Sequence, residues 1–156
     1  MPKNTIADHG MHAWARFLAT HATLIERIES ALSAAELPPL AWYDVLWELE
    51  KAETGKLRMH ELAAAVVLSR SNLTRLIDRL DGAGLTVRER CPDDRRGAFA
   101  AITPKGREMR KKMWPLYRRQ IEELFTSHLT AKDAETLNSL FGKILDAARG
   151  KAVKAA

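Results

Sequence analysis

The sequence predicts a mainly α-helical fold that carries one small β-hairpin. Apolar residues recur at helical spacing along most of the 156 residues. One stretch, residues 85–102, alternates between apolar and polar residues for part of its length and then turns back on itself, as a hairpin does. Glycines and prolines stand between the periodic stretches, where helices begin and end. Together these observations indicate about six helices and a two-stranded ribbon.

The strongest pattern lies in residues 59–80, where two short helices are separated by a break. The first helix is expected over residues 59–66, the break over 67–69 and the second helix over 70–80. The apolar residues of the second helix share one face, which should pack on a core; they are Leu73, Leu76, Ile77 and Leu80. The polar residues at its start and on its other face could hydrogen-bond base edges and phosphates. They are Ser69, Arg70, Ser71, Asn72, Thr74, Arg75 and Arg79.

A hairpin is expected directly after the second helix, which Gly82 and Gly84 should end. Its strands are predicted over residues 85–90 and 98–102 and its tip over 91–97, and residues 56–58 could add a third strand. Helix, turn, helix and ribbon make a winged helix-turn-helix. In that fold the second helix suits the major groove of DNA and an arginine-bearing tip suits the minor groove. The ribbon residues expected to contact DNA are Arg88, Asp94, Arg95 and Arg96.

Five pieces of this region, at residues 71–75, 76–80, 84–85, 94–97 and 103–106, carry a specific resemblance. In their order and spacing they resemble the MarR family of bacterial transcription regulators, and the resemblance extends over residues 12–148. It implies a homodimer that binds double-stranded DNA, most often as a repressor. It also implies that Asp94 holds one wing arginine while the other enters the minor groove. Arg75 is expected to contact guanine, because its planar fork matches the two acceptors of that base.

The lobe that binds DNA is predicted over residues 38–103 of a single domain, with helices at residues 11–33 and 104–149 outside it. The apolar stripes of these outer helices are too long for the small core of the lobe, so self-association would bury them. The resemblance likewise implies that the two termini and the fifth helix form the dimer interface. A two-fold dimer would present its recognition helices ~34 Å apart, and the operator should be a pseudo-palindrome.

A small ligand is a further implication of the resemblance. Many members of the family lose DNA affinity when a phenolic or anionic compound binds between the dimer helices and the DNA-binding lobe. Aromatic rings with a few polar groups suit such a pocket, and the residues expected to line it are His12, Trp14, Arg16, Trp42, Tyr43 and Trp47. Tryptophans at helical spacing are also commonly plain core residues, and that alternative stays open.

Charge and composition fit a cytoplasmic protein that binds DNA. The net charge is +5, with a net acidic stretch over residues 1–53 and a net basic remainder that contains the helix-turn-helix. No apolar run approaches the ~20 residues that span a bilayer. The N-terminus lacks the apolar segment of a signal peptide. A single cysteine excludes an intrachain disulfide and agrees with a reducing compartment.

The sequence gives less support to other functions. It contains no glycine-rich phosphate loop, no Gly-x-Ser-x-Gly elbow and no His-Glu-x-x-His motif, so no enzymatic activity is predicted. The five histidines do not cluster at ligand spacing, so neither a metal nor another cofactor is expected. Two alternatives remain. One is a winged helix that coats DNA or contacts proteins without sequence preference. The other is a redox-responsive regulator built on Cys91, which the neighbouring Arg90 could activate.

Overall fold

The structure, a computed structural model, describes residues 5–66 and 70–150, without the side chains of residues 5, 70, 71 and 94–96. The described residues form six α-helices, one 3₁₀ helix and a three-stranded antiparallel sheet of order β1-β3-β2. This arrangement confirms the predicted winged helix-turn-helix class and the third strand. The elements are α1 (Thr5–Ala34), α2 (Leu40–Lys51), β1 (Lys56–Arg58), α3 (Met59–Ala65), α4 (Arg70–Gly82), β2 (Thr86–Cys91), β3 (Asp94–Ile102), α5 (Pro104–Leu124), the 3₁₀ helix (Thr126–His128) and α6 (Ala131–Ala148).

The chain divides into two compact units, Met1–Tyr117 and Arg118–Ala156. The first contains the winged helix, whose core draws on α2, α3, α4 and the sheet. All four apolar residues predicted for the second helix of the motif are buried in that core, so its amphipathic pattern is confirmed. Across the described ranges, no helix combines the length and the apolar character needed to cross a membrane. The buried core residues are Val45, Leu46, Leu49, Leu62, Leu73, Leu76, Ile77, Leu80, Leu85 and Ala100.

Three element boundaries differ from the sequence-based expectation. Helix α1 begins at Thr5 rather than at residue 11, because extending an existing helix adds one hydrogen bond per residue and residues 5–10 contain no proline to stop it. The hairpin tip is shorter than residues 91–97, because Cys91 already pairs with Asp94 and leaves only Pro92 and Asp93 in the turn. Helix α5, which its apolar spacing predicts to run to about residue 128, ends at Leu124, and a 3₁₀ helix follows it.

Side chains and backbone groups fix the ends of several helices. Helix α4 closes with a Schellman motif, in which the Leu85 N–H donates to the Leu80 carbonyl (2.9 Å) and the Gly84 N–H to the Asp81 carbonyl (2.9 Å). Gly84 takes φ = 74°, as predicted for the residue that ends this helix. The first N–H of α2 is capped from another helix, since Leu40 donates to Glu29 Oε1 at 3.0 Å.

Candidate nucleic-acid interface

Helix α4 has one buried face and one polar, exposed face. Leu73, Ile77 and Leu80 are fully buried, whereas the predicted contact residues Asn72, Thr74, Arg75 and Arg79 are exposed on the opposite face. Hydroxyl, amide and guanidinium groups of this kind can bond both base edges and phosphates. The geometry of the helix therefore leaves these side chains accessible to a bound duplex.

Several predicted contact residues cannot be placed at the side-chain level. Ser69 lies outside the described residues, and the side chains of Arg70 and Ser71 lie outside them too, although both residues belong to α4. Asp94, Arg95 and Arg96 form the start of β3 rather than a loop, and their side chains are likewise outside the described part. The division of roles among these three residues therefore stays a prediction.

Arg88, which we expected to contact DNA, is bound to the recognition helix. Its Nη2 lies 2.6 Å from Asp78 Oδ1 and 3.3 Å from the Thr74 carbonyl oxygen, and its Nε lies 3.6 Å from Asp81 Oδ2. The hydroxyl of Thr86 donates to the other oxygen of Asp81 at 2.5 Å. Two residues of β2 thus hold two carboxylates of α4.

Asp78 and Asp81 were not identified as site residues from the sequence. Their partners lie on a strand, and no helix pattern shows which strand residue will reach them. One signal was present. Thr86 and Arg88 are two apart, so they point to the same face of β2, and Asp78 and Asp81 are three apart, so they share one side of α4.

The other face of the sheet carries cations around one aromatic ring. The register aligns Arg58, Phe99 and Glu89 across the three strands. Lys56 Nζ lies 2.8 Å from Glu89 Oε2 and 5.1 Å from the centroid of the Phe99 ring. Arg58 Cζ lies 5.5 Å from the same centroid. This basic surface is a second group of residues near the wing that the sequence did not reveal.

Residues 103–106 join the start of α5 to the end of α4. Thr103 Oγ1 donates to the Gly84 carbonyl at 2.7 Å and accepts the Gly106 N–H at 3.0 Å. Lys105 Nζ donates to the Ala83 carbonyl at 3.0 Å, at the negative end of the α4 dipole. A Cβ at Gly106 would overlap the Leu85 carbonyl oxygen. These bonds therefore fix the position of the start of α5 relative to the end of α4.

The residues expected to line a ligand pocket fall into two groups. His12, Trp14 and Arg16 lie on α1 and are exposed in the single chain. On α2, Trp42 packs partly buried against the core, Tyr43 is buried and Trp47 is 40% exposed. The α2 group has cationic and aromatic neighbours on α5, so it is the group with the character of a binding surface.

Those α5 neighbours were not predicted. On α5, Arg110 Cζ lies 5.3 Å from the centroid of a Trp47 ring; Lys51 Nζ, at the end of α2 itself, lies 5.8 Å from it. Tyr43 packs against Trp114 and Tyr117, with ring centroids 6.0 and 5.0 Å away. The pKa of Tyr43 is raised because the side chain is buried, and a hydrogen bond with Arg110 offsets part of that rise. The spacing of Arg110, Trp114 and Tyr117 along one helix face was a usable signal.

Acidic groups surround one side of this aromatic cluster. Burial, together with the charges of Glu48 and Glu29, raises the pKa of Asp44 to about 6. Burial raises the pKa of Tyr117 as well, with Asp44 as the next cause. On the α5 side, Arg110 pairs with Glu50, and Arg107 Nη1 lies 3.6 Å from Glu50 Oε1.

The described residues give little support to a redox-active cysteine or to a metal site. Cys91 is 5% exposed at the end of β2, whereas redox-active thiols are usually accessible to their oxidant. Among residues 5–66 and 70–150, no group of three or more His, Cys, Asp or Glu side chains could hold a metal ion.

Comparison with known proteins identifies similar chains. A family model described as MarR family matches residues 36–97. Over 97 residues the chain is 29% identical to the transcriptional repressor MprA of Escherichia coli (strain K12), covering 62% of this chain and 54% of MprA. The chain spans about half the length of the curated relatives it matches.

Solved structures are similar over nearly the whole chain. AbsC, a MarR family transcriptional regulator from Streptomyces coelicolor, is 31% identical with a TM-score of 0.83, covering 92% of this chain and 97% of AbsC. Sco3205, a MarR family regulator from the same organism solved in complex with DNA, is 25% identical with a TM-score of 0.85. That alignment covers 94% of this chain and 92% of Sco3205.

Proposed function

Since the chain belongs to the MarR family of transcriptional regulators, we propose that it binds a pseudo-palindromic DNA operator sequence-specifically and represses transcription there. Family membership makes it a regulator and not an enzyme. Sco3205 was solved in complex with DNA, and MprA is named a repressor, which supports both parts of the proposal. Binding to chromosomal DNA would place the protein in the cytoplasm.

One observation carries the proposal: the two faces of α4 differ completely. Its apolar face is buried in the core, so the exposed face with Asn72, Arg75 and Arg79 is held at a fixed orientation. Amide and guanidinium groups also bind phosphates, but they are the groups that make the bidentate contacts distinguishing adenine and guanine in the major groove. The composition of this face therefore favours base recognition over non-specific binding.

A homodimer is part of the same proposal. Helices α1 and α6 each expose large apolar side chains in the single chain, and an exposed apolar stripe along a helix is typical of an interface. A second copy would cover it and supply the second recognition helix. The exposed residues are Ile6, Met11, Trp14, Phe17 and Leu18 on α1, and Leu140, Phe141, Ile144 and Leu145 on α6.

The most specific part of the proposal is that a small aromatic or anionic effector controls DNA binding. Two cations, Arg110 and Lys51, lie 5.3 and 5.8 Å from the centroid of a Trp47 ring. Tyr43, on the same helix as Trp47, packs against Trp114 and Tyr117 of α5. Rings and guanidinium groups together suit an aromatic acid. A thermal-shift screen with aromatic carboxylic acids, followed by release of bound operator DNA, tests this part.

Genome-wide mapping of DNA bound by the purified protein tests the main proposal and yields the operator. We expect a palindromic consensus, and binding of that sequence should survive competition by excess random DNA. Gel-shift titrations at two salt concentrations then test the wing, where Arg95→Ala or Arg96→Ala should weaken binding and lower the salt slope. Equal affinity for operator and random DNA would contradict the proposal in favour of a non-specific winged helix.

A further inference from the structure

We infer that Arg88 positions the wing on the recognition helix instead of contacting DNA, and that Asp78 and Asp81 therefore support DNA binding although they are acidic. The wing is the hairpin formed by β2, residues 92–93 and β3. The inference rests on the proposed DNA-binding function and adds a role for three residues that the function alone does not assign.

One nitrogen of the Arg88 guanidinium makes two hydrogen bonds, and a second nitrogen faces a further carboxylate. Nη2 is shared between Asp78 Oδ1 (2.6 Å) and the Thr74 carbonyl oxygen (3.3 Å), and Nε faces Asp81 Oδ2 (3.6 Å). A guanidinium bound in this way to two carboxylates must give up part of that binding before it can contact a phosphate. Arg88 is therefore a poor candidate for a backbone contact, whereas Arg75 and Arg79 remain exposed on α4.

The link also connects two elements that must act together. Asp78 and Asp81 lie on the helix that reads the major groove in this fold, and Arg88 and Thr86 lie on the first strand of the wing. Arg88 pairs with Ala100 of β3, whose side chain is fully buried in the lobe core. The Arg88 cluster, defined as Asp78, Asp81, Thr86 and Arg88, thus ties the wing to the recognition helix at its exposed edge.

Charge gives the cluster a second effect. An uncompensated carboxylate on the DNA-facing helix would repel the phosphate backbone. Arg88 lies within ion-pair distance of both acids, so it offsets their charge at the site where DNA approaches. Removal of Arg88 would therefore release the wing and also expose two negative charges.

A double-mutant cycle on DNA affinity tests this inference. Asp78→Asn should weaken operator binding roughly three- to tenfold, even though the variant carries one less negative charge. Arg88→Gln should weaken binding at least as much, because the wing loses its support on α4 and both carboxylates lose their counter-charge. In the Arg88→Gln background the sign should reverse: Asp78→Asn should then improve binding, since only the repulsion remains to be removed.

Asp93→Asn is the matched control, because Asp93 is an exposed acid in the wing turn and the change in charge is the same. It should bind operator as well as the parent protein or better. All titrations are done well below the unfolding midpoint of each variant, so that only folded protein is compared.

Two results would overturn the inference: Asp78→Asn binding as tightly as the parent, or additive effects in the double variant. Failure of the proposed function looks different, because the parent protein itself would then show no preference for the mapped operator over random DNA.

Discussion

At the scale of single residues, α4 carries its expected base contacts on the exposed face and its core residues on the buried face. Arg75 follows Thr74 on that face and precedes the buried Leu76. Its backbone is therefore fixed by the core while its guanidinium reaches solvent. A long side chain on a fixed backbone can make a bidentate contact to guanine without ordering the helix at the same time.

Arg75→Ala should weaken operator binding by about 1–3 kcal/mol and relax sequence preference at one position of each half-site, because a bidentate base contact is lost. Gel shifts with the operator and single-base variants measure both effects. Lys132→Ala, which removes an exposed cation at the start of α6, should leave preference unchanged. A uniform loss across all sequences would instead mean that Arg75 binds phosphate.

A second prediction at the residue scale concerns Gly106. A Cβ there would overlap the Leu85 carbonyl oxygen and crowd Ile102, and backbone cannot yield as a flexible side chain can. Gly106→Ala should therefore destabilise the protein by about 1–3 kcal/mol. Gly82→Ala is the matched control, since nothing lies within 4 Å of its Cβ position and alanine is the better helix former. Chemical denaturation of both variants should show losses for Gly106→Ala alone.

Residue-scale predictability depended on whether the residues lie on one element or on two. The buried and exposed faces of α4 could be predicted because both follow from one periodicity within a single helix. The Arg88 cluster could not, because its bonds join a helix to a strand, and the alignment of the two depends on where α4 ends. Arg88 was therefore expected at a DNA contact on charge alone.

At the scale of elements, the packing of α1, α2 and α5 creates an acidic region inside the first unit. Glu29 on α1 accepts the first N–H of α2, and Asp44 and Glu48 follow on α2. Burial and these two carboxylates raise the pKa of Asp44 to about 6, so its charged form is disfavoured in the folded state.

Asp44 should make stability depend on pH between about 4 and 6. In this range the folded state holds the Asp44 proton more strongly than the unfolded state, whose carboxyl keeps the ordinary pKa of 3.8. The contribution of this carboxyl to stability therefore falls as pH rises through that window and stays low above it. Asp44→Asn should raise the melting temperature at pH 7 and change it little at pH 4.

Thermal unfolding followed by circular dichroism at the two pH values checks this. Glu48→Gln should reproduce part of the gain at pH 7, since it removes one of the repelling charges and leaves Asp44 in place. Equal melting temperatures for Asp44→Asn and the parent at pH 7 would contradict the expected desolvation of this carboxyl.

Element ends were harder to predict than the elements themselves. Local sequence marks an end where a capping residue stands: Thr103 precedes Pro104 at the start of α5 and accepts the Gly106 N–H, and Thr130 forms a capping box with Asp133 at the start of α6. The wing turn carried no such marker for its length. Arginines and aspartates suggested a long solvated tip, but strand pairing continues to Asp94 because backbone bonds are satisfied by the ladder regardless of charge.

At the scale of the whole molecule, the chain has more apolar surface than one copy covers. Apolar spacing in α1 and α6 predicted this from the sequence, because each stripe exceeds what a winged-helix core of this size can bury. Which stripe residues stay exposed could not be predicted, since that depends on the packing of each helix. Trp14 and Ile144 are more than half exposed, whereas Ile28 and Leu32 at the end of α1 are buried.

Ile144→Glu tests whether a second copy covers this surface. Ile144 is 65% exposed on α6, so the substitution should not disturb the single chain, but a charge buried in an interface without a partner would separate two copies. Sedimentation should then show a species near the 17.5 kDa of one chain instead of twice that mass. Because a separated chain contacts one half-site, operator affinity should fall by about two orders of magnitude or more.

Ser139→Glu is the control, because it adds the same charge to the opposite face of α6. It should sediment as a dimer and bind operator normally. An Ile144→Glu variant that remains dimeric would place the interface elsewhere on the chain. One that becomes monomeric yet binds the full operator with parent affinity would separate DNA recognition from dimerisation. Loss of both properties together is expected if two fixed α4 helices must reach successive grooves at the same time.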